Sequence, residues 1–376
     1  PFEEYSRMSI PSAINVPGAE LVLRIRDLAP RPETLVVVNC AGRTRSIIGA
    51  QSLIDAGVPN PVMALRNGTM GWHLAGFKCD NGKSARFPDV TENGLAFARA
   101  GAAAVAAKFG VARIDRTALA RLQADTTRTT YVFDVRDPDE YKRGHLPGAV
   151  SAPGGQLVQA TDTYAGTLGA RLVLCDDKEA RALMTGAWLR RMGWHDVFVL
   201  AEAGDQTGDL PPASLGTPAT EAAIDVGAMP ADATVVDLSR SPDYRRGHIP
   251  GAWFAIRGRL GTALPKIPLA GTVVLTSEDG VLAGLAVAEV RKLTEKPVKW
   301  LKGGNAAWLA AGKPLSQEPK MADEALDVWL KPYERAGDPK AGMQEYLTWE
   351  VDRIDRIKQD GTCAFLDAQG WPAAHG

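Results

Sequence analysis

The sequence has few cysteines and almost no net charge. Its four cysteines, at positions 40, 79, 175 and 363, form no CxxC or other metal-ligand spacing and are too sparse for a disulfide framework. Lys and Arg total 43 against 44 Asp and Glu, so no overall field favours nucleic acid or an acidic membrane. We therefore expect a reducing, cytoplasmic compartment, no metal site built from cysteines, and anion binding that is local.

Long apolar runs are also missing. No run approaches the roughly 18 residues that a membrane helix needs, and no signal-peptide pattern is present, so we expect no membrane segment. With 376 residues, 45% of them hydrophobic, the chain has enough apolar residues for two to four domains. The sequence starts at Pro1 inside a repeated pattern, which indicates a piece of a longer protein.

Three repeats are visible along the chain. Each opens with an acidic, tyrosine-containing turn, at 2–17, 133–153 and 236–256. Each continues as a strand, a short loop and a helix, at 35–58, 170–194 and 271–293. Strands that alternate with helices predict an α/β fold in which parallel sheets are flanked by helices on both faces.

The segments in which the repeated pattern is absent mark the domain boundaries. We expect three α/β domains, a helical linker between the first two, and a helical C-terminal tail. Their ranges are 1–78, 79–112 (the linker), 113–212, 213–316 and 317–376 (the tail). In the tail, apolar residues recur at helical spacing at Tyr346, Leu347, Val351, Ile354 and Ile357. We expect this helix to pack on the last domain or on a partner chain, which leaves a homo-oligomer open.

The segment LVVVNCAGRTRS, residues 35–46, carries the clearest chemical signal. An apolar strand leads to Cys40 in a short loop that opens directly into a helix. A helix N-terminus and nearby cations, here Arg43 and Arg45, favour a thiolate. Successive loop amides at a helix start also bind anions. The segment therefore predicts a nucleophilic Cys40 beside an anion site.

The motifs GHLPGA at 144–149, GHIPGA at 247–252 and CAGRTRS at 40–46 resemble those of the rhodanese family, sulfurtransferases often built as tandem repeats. The resemblance covers most of residues 1–315. It implies that Cys40 takes the outer sulfur of thiosulfate as a persulfide and passes it to cyanide or a thiol, without a cofactor. It also implies a substrate-binding loop in which Arg43 and Arg45 bind the donor and the backbone cradles the persulfide: Ala41, Gly42, Arg43, Thr44, Arg45 and Ser46.

The first repeat departs from this pattern at its start. It has RMSIPSA where the others have RGHLPGA or RGHIPGA, and its counterpart of Asp134 and Asp237 would precede Pro1. We therefore expect the sheet that holds Cys40 to be incomplete.

The other two repeats lack a reactive loop. In the second, spacing to a later glycine aligns Asp176 with Cys40 and leaves Cys175 on the strand as a buried, inert cysteine. In the third, Ser277 takes the cysteine position and acids follow it. Both repeats are predicted to be degenerate scaffolds.

Several other conspicuous residues receive structural interpretations. We expect His145 and His248 to hold turns, and Asp134 and Asp237 to anchor turns through backbone hydrogen bonds. A second expectation is that Trp72 and Trp308 pack under the loops. Cys79 and Cys363 receive no role, although a resolving thiol at Cys79 stays open.

Two alternative functions are left. Phosphatases and arsenate reductases of similar fold use a Cys-x5-Arg loop, whereas four residues separate Cys40 from Arg45. A non-catalytic docking scaffold is the other alternative, because two of the three repeats lack the loop cysteine.

Overall fold

The computed structural model describes residues 1–167, 169–208, 218–328, 331–332, 335 and 337–360. The chain forms two compact units, one made of Pro1–Leu210 with Pro332–Gly376 and the other of Pro211–Lys331. The sheets in both units pair their strands in parallel, and helices connect and cover them, which confirms the predicted α/β class.

The first repeat begins the first unit and holds Cys40. Its helices are α1 (Phe2–Arg7), α2 (Glu20–Leu28), α3 (Thr44–Asp55) and α4 (Gly68–Leu74), and its strands are β1 (Val36–Val38) and β2 (Val62–Ala64). The two strands pair in parallel, with Val36 opposite Val62. Within the described residues this sheet has two strands. Val37 is accordingly 49% exposed.

A helix lies between the first two repeats, as predicted, and it packs in the core. Helix α5 (Glu92–Phe109) contributes buried Ala98, Ala102 and Phe109 to a cluster that spans the first and second repeats. Small residues allow the close approach, since a Cβ at Gly101 would lie 2.5 Å from the carbonyl oxygen of Ala56. The alanine-rich composition therefore reflects close packing of α5.

The second repeat follows in the same unit. Its strands are β3 (Ala112–Arg113), β4 (Thr130–Asp134), β5 (Val150–Ser151), β6 (Arg171–Cys175) and β7 (Val197–Leu200). Its helices are α6 (Arg116–Ala124), α7 (Pro138–Arg143), α8 (Gly154–Gln159), α9 (Thr161–Tyr164) and α10 (Ala180–Arg191). The strand order is β3-β7-β6-β4-β5. Strand β6 is buried along its whole length, as an apolar central strand requires.

The second unit contains the third repeat. Its strands are β8 (Ala223–Ile224), β9 (Thr234–Asp237), β10 (Trp253–Phe254), β11 (Val273–Thr276), β12 (Val298–Leu301) and β13 (Lys320–Met321), in the order β13-β10-β9-β11-β12-β8. Its α-helices are α11 (Ser241–Arg246), α12 (Leu260–Ala263), α13 (Val281–Val290) and α14 (Gly304–Ala310). Because β13 pairs with β10, the start of the expected tail belongs to this sheet.

The C-terminal helix α15 (Pro339–Asp360) packs on the first repeat, not on the last. Met343 and Leu347 are 4% and 5% exposed and lie in a cluster with Met70 of α4. The expectation of packing on the last domain was therefore wrong, because helical spacing defines an apolar face but not the surface that the face meets. Val351 is exposed, and the side chain of Ile354 lies outside the described residues.

Among the described residues, no helix has the length and apolar character that crossing a membrane requires.

Candidate active site

Cys40 lies between the end of β1 and the start of α3 and is half-buried. Its carbonyl oxygen accepts from the amide of Thr69 at 2.8 Å, and that of Ala41 accepts from Met70 at 2.9 Å. Gly68, at φ +54°, permits this close contact, because a Cβ there would lie 2.1 Å from the Cys40 oxygen. The start of α4 thus holds the cysteine loop.

A buried hydroxyl lies beside the sulfur. The Sγ atom of Cys40 is 3.7 Å from Oγ of Ser46, which is 1% exposed. Ser46 in turn donates to the carbonyl oxygen of Arg43 at 2.7 Å. The Ser46 side chain therefore fixes the first turn of α3 and presents its oxygen to the thiol.

The loop amides are available to an anion. Five backbone N–H groups of the loop have no hydrogen-bond acceptor among the described residues: those of Ala41, Gly42, Arg43, Arg45 and Ser46. Unpaired amides at a helix start attract negative charge, and the helix dipole adds to this. We call these amides, with that of Thr44, the loop cup.

The two arginines of the loop differ in their surroundings. Arg45 donates to the carboxylate of Glu4 at 2.5 Å, with the two side chains 25% and 17% exposed. Burial disfavours the charged guanidinium, but the Glu4 carboxylate outweighs it and raises the pKa of Arg45. Arg43 forms no ion pair with any described residue. Arg43 is therefore the cation left to meet a ligand, and Arg45 is held in place by Glu4.

Helix α15 supplies two side chains that the sequence did not suggest. Glu350 Oε1 accepts from Oγ1 of Thr44 at 3.1 Å and, more weakly, from its amide at 3.5 Å. Burial, the Glu350 carboxylate and the neighbouring Cys40 raise the pKa of Tyr346 to about 12, although Arg45 opposes them. The contact between Glu350 and Thr44 joins residues 306 positions apart. In the sequence, only the helical spacing of Tyr346 and Leu347 indicated that this face of α15 would pack against another surface.

In the second repeat, an internal carboxylate fills the equivalent loop. Asp176 accepts from the amides of Lys178, Arg181 and Ala182, at 3.1, 2.9 and 3.3 Å. The guanidinium of Arg181 is fully buried against Asp176 and Glu20, at 2.8 and 2.7 Å. Burial works against its charge, but these carboxylates raise the pKa of Arg181. This loop is therefore closed to an outside anion.

Cys175 lies at the end of β6, directly before that loop, and is 0% exposed. Burial, together with the carboxylate of Asp134, raises the pKa of its thiol to about 12. A thiol that stays protonated is a poor nucleophile, in agreement with the prediction of an inert cysteine.

The third repeat has Ser277 at the loop position. The carbonyl oxygen of Ser277 accepts from the amide of Asn305 at 2.9 Å, as that of Cys40 does from Thr69. Its hydroxyl accepts from the amide of Ala283 at 3.4 Å. The geometry supports the alignment of Ser277 with Cys40, and no sulfur is present there.

The histidines hold turns, as expected. His145 and His248 are both 0% exposed, and their Nδ1 atoms lie 2.9 and 2.8 Å from the carbonyl oxygens of Tyr141 and Tyr244. Each imidazole also stacks on the tyrosine ring at 3.9 Å.

The first repeat builds the same turn from other residues. The hydroxyl of Tyr5 donates to the carbonyl oxygen of Ala13 at 2.8 Å, as Tyr141 does to Ala149 at 3.0 Å. Ser12 adopts φ +66° where the second repeat has Gly148 at +79°. A left-handed conformation is strained for serine, so this turn is less favourable than its counterparts.

The strand-end aspartates anchor turns, as expected. Asp134 accepts from the amide of Arg136 at 3.1 Å and from its guanidinium. Asp237 accepts from the amide of Ser239 at 2.8 Å and from the side chain of Asn305 at 2.7 Å.

The indole N–H groups of the two tryptophans bond to the chain that follows their helices. Trp72 donates to the carbonyl oxygen of Lys78 at 3.0 Å, and Trp308 donates to that of Pro314 at 2.9 Å. Trp72 also contacts the ring of Phe77 at 4.7 Å, and Trp308 packs against the core cluster that contains Leu301. These contacts close the chain after α4 and α14.

Among the described residues, Cys79 is the one cysteine that lies outside the three loops and the strands before them. Cys79 is half-buried, and burial together with Asp80 raises the pKa of its thiol. Cys363 lies outside the described residues. Within the described ranges, no group of three or more His, Cys, Asp or Glu side chains is placed to hold a metal ion.

Comparison with known proteins identifies the family. The sequence model of the rhodanese-like domain matches residues 1–75, 115–203 and 222–311. No curated protein matches the chain.

Three solved structures illustrate the similarity. A thiosulfate sulfurtransferase from Pseudomonas aeruginosa is 46% identical, with a TM-score of 0.77 over 97% of this chain and 71% of its own. A possible tyrosine phosphatase from Rhodopseudomonas palustris is 29% identical over 23% of this chain and 72% of its own, with a TM-score of 0.20. A rhodanese-related protein from Thermoplasma volcanium is 18% identical over 23% of this chain and 86% of its own, with a TM-score of 0.22. The chain therefore belongs to the rhodanese-like domain family, as its motifs predicted, and the Pseudomonas match supports a rhodanese-type sulfurtransferase.

Proposed function

We propose that the protein transfers the outer sulfur of thiosulfate to cyanide or a thiol through a persulfide on Cys40. The observation that carries this proposal is the contrast between the three loops. Only the first has a cysteine, and among the described residues the cup amides beside it have no acceptor except at Thr44, whose amide donates weakly to Glu350. In the second repeat, three of the equivalent amides, those of Lys178, Arg181 and Ala182, donate to the carboxylate of Asp176.

In the first half-reaction, the Cys40 thiolate attacks the sulfane sulfur of thiosulfate. A bond forms between Sγ and that sulfur while the sulfur–sulfur bond of thiosulfate breaks, and sulfite leaves with the electron pair. The product is a Cys40 persulfide anion. Negative charge grows on the departing sulfite, and the cup amides and Arg43 stabilise it with little reorganisation.

In the second half-reaction, an acceptor attacks the outer sulfur of the persulfide. With cyanide, a carbon–sulfur bond forms, the persulfide bond breaks, and thiocyanate leaves while the Cys40 thiolate is regenerated. The Ser46 hydroxyl accepts from the Cys40 thiol at 3.7 Å and donates its one proton to the carbonyl oxygen of Arg43, so it donates to an anionic sulfur only by turning away from that carbonyl.

The spacing of the loop favours this chemistry over phosphate chemistry. Four residues separate Cys40 from Arg45, one fewer than in a Cys-x5-Arg loop, and Arg45 is paired with Glu4. A scaffold role suits the second and third repeats, whose loops lack the cysteine, and it is compatible with catalysis in the first.

Substitution of Cys40 by serine tests the proposal. We expect Cys40→Ser to abolish thiosulfate-to-cyanide transfer and the matched change Cys79→Ser, at another half-buried cysteine, to leave it intact. Activity retained by Cys40→Ser would refute the assignment. Loss in Cys79→Ser would restore the resolving-thiol alternative, and hydrolysis of an aryl phosphate without sulfur transfer would favour the phosphatase alternative.

A further inference from the structure

Helix α15 brings a carboxylate to the loop cup. Glu350 accepts from Thr44, the first residue of α3, through the hydroxyl at 3.1 Å and the amide at 3.5 Å. The helix is held there by Met343 and Leu347, which are buried against Met70. An anion supplied by the protein itself therefore lies at one end of the cup.

The loop has little space beneath this carboxylate. A Cβ at Gly42 would lie 2.4 Å from Glu350 Oε2 and 2.9 Å from the ring of Tyr346. The absence of a side chain at Gly42 thus lets α15 reach the backbone of the cup.

The Glu350 carboxylate is incompletely bonded. Its Oε2 atom is buried and has no hydrogen-bond partner among the described residues. A buried carboxylate oxygen without a donor is unfavourable, so this ligand is held less firmly than a fully bonded one. In the second repeat, by contrast, both oxygens of Asp176 accept backbone hydrogen bonds. Glu350 is therefore an exchangeable occupant, whereas Asp176 closes its loop.

We propose that Glu350 is a specificity-determining residue, whose carboxylate competes with anionic donors for the Thr44 end of the cup. This inference rests on the proposed function of Cys40. An anionic sulfur donor must either displace the Glu350 carboxylate or bind despite its electrostatic repulsion. The free-energy cost of binding therefore grows with the negative charge of the sulfur donor. Glu350 thus selects against dianionic thiosulfate relative to a monoanionic organic thiosulfonate, which presents the same sulfane sulfur.

Steady-state kinetics of Glu350→Gln test the selection. The amide oxygen can still accept from Thr44, so α15 keeps its contact while the charge is lost. We expect KM for thiosulfate to fall about tenfold, which corresponds to the free energy of one hydrogen bond to a charged group. KM for the thiosulfonate should fall less. The matched control is Asp352→Asn, which removes the same charge from an exposed position of the same helix. An unchanged ratio of the two KM values would overturn the proposal.

Alkylation of Cys40 gives a readout that does not require sulfur transfer. We compare anionic iodoacetate with neutral iodoacetamide and assign the product to Cys40 by peptide mass. Glu350→Gln should raise the iodoacetate-to-iodoacetamide rate ratio roughly fivefold, since one nearby like charge is removed, and Asp352→Asn should not. Leu347→Ala, which loosens α15 without touching the loop, should shift the ratio in the same direction.

The two readouts separate the possible failures. A raised alkylation ratio in a protein without sulfur-transfer activity would refute the proposed function but keep Glu350 as the charge at the cup. An unchanged alkylation ratio would overturn the role of Glu350 even if Cys40 carries sulfur.

Discussion

Replacing the two loop arginines one at a time should have different consequences. Arg45 is paired with Glu4 at 2.5 Å in a largely buried setting, whereas Arg43 forms no ion pair with a described residue. We expect Arg45→Ala to reduce local stability and Arg43→Ala to weaken donor binding. The sequence alone treated the two residues alike.

The magnitudes follow from exposure. The Arg45 and Glu4 side chains are 25% and 17% exposed, so their ion pair is intermediate between an exposed and a buried one. An exposed pair contributes about 0–1 kcal/mol to stability, whereas removing one partner of a buried pair costs about 3–5 kcal/mol. We expect Arg45→Ala to destabilise the loop and α3 by about 2 kcal/mol, a value between these limits. For Arg43→Ala we expect less than about 0.5 kcal/mol of destabilisation, as for an ordinary surface change. Its KM for thiosulfate should rise at least tenfold, the scale of a lost hydrogen bond to a charged group.

Hydrogen exchange and kinetics together measure both effects. Exchange of amides within α3 reports local stability, and thiosulfate kinetics report donor binding. The double variant Glu4→Gln/Arg45→Met should recover much of the protection that Arg45→Ala loses, because the carboxylate is removed with its partner. Equal exchange in both single variants, or a larger rise in KM for Arg45→Ala than for Arg43→Ala, would refute this division of roles.

Two further predictions concern stability. Ser12→Gly should stabilise the first repeat by roughly 0.5–1 kcal/mol in urea unfolding, because glycine adopts the left-handed φ of +66° without strain; a loss of stability would show that the Ser12 side chain matters. Arg181 and Lys178 overcome the burial of Glu140 and lower its pKa from 4.5 to about 2. Because the folded pKa is depressed, this stabilisation is present above about pH 4.5 and lost as the pH falls towards 2, at most about 3 kcal/mol. Glu140→Gln should flatten that part of the acid-unfolding curve, and an unchanged curve would contradict the prediction.

The repeated architecture was predictable because its signals are local. Each turn, strand and loop lies within one short segment of sequence. The apolar run that ends at Cys175 directly indicates a buried strand, and the acids after Ser277 indicate a loop that does not bind anions. Alignment within the sequence placed Asp176 and Ser277 opposite Cys40, and the hydrogen bonds around those loops support it.

The contacts that the sequence did not reveal are long-range. Glu4 meets Arg45 from 41 positions away, and Glu350 meets Thr44 from 306. Helical periodicity gave α15 an apolar face, but the partner of that face depends on which surface is left uncovered. The alanine-rich segment containing Ala98 and Ala102 was correctly predicted to be helical, but its core packing was not, since small residues suit both a linker and a close helix contact.

The most direct test of the central claim is the intact mass of the protein after treatment with thiosulfate, followed by peptide mapping. The account predicts a gain of one sulfur atom on the peptide that contains Cys40, and its loss on addition of cyanide as thiocyanate forms. A folded protein that gains no sulfur, or that carries it on Cys79 or Cys175, would contradict the claim.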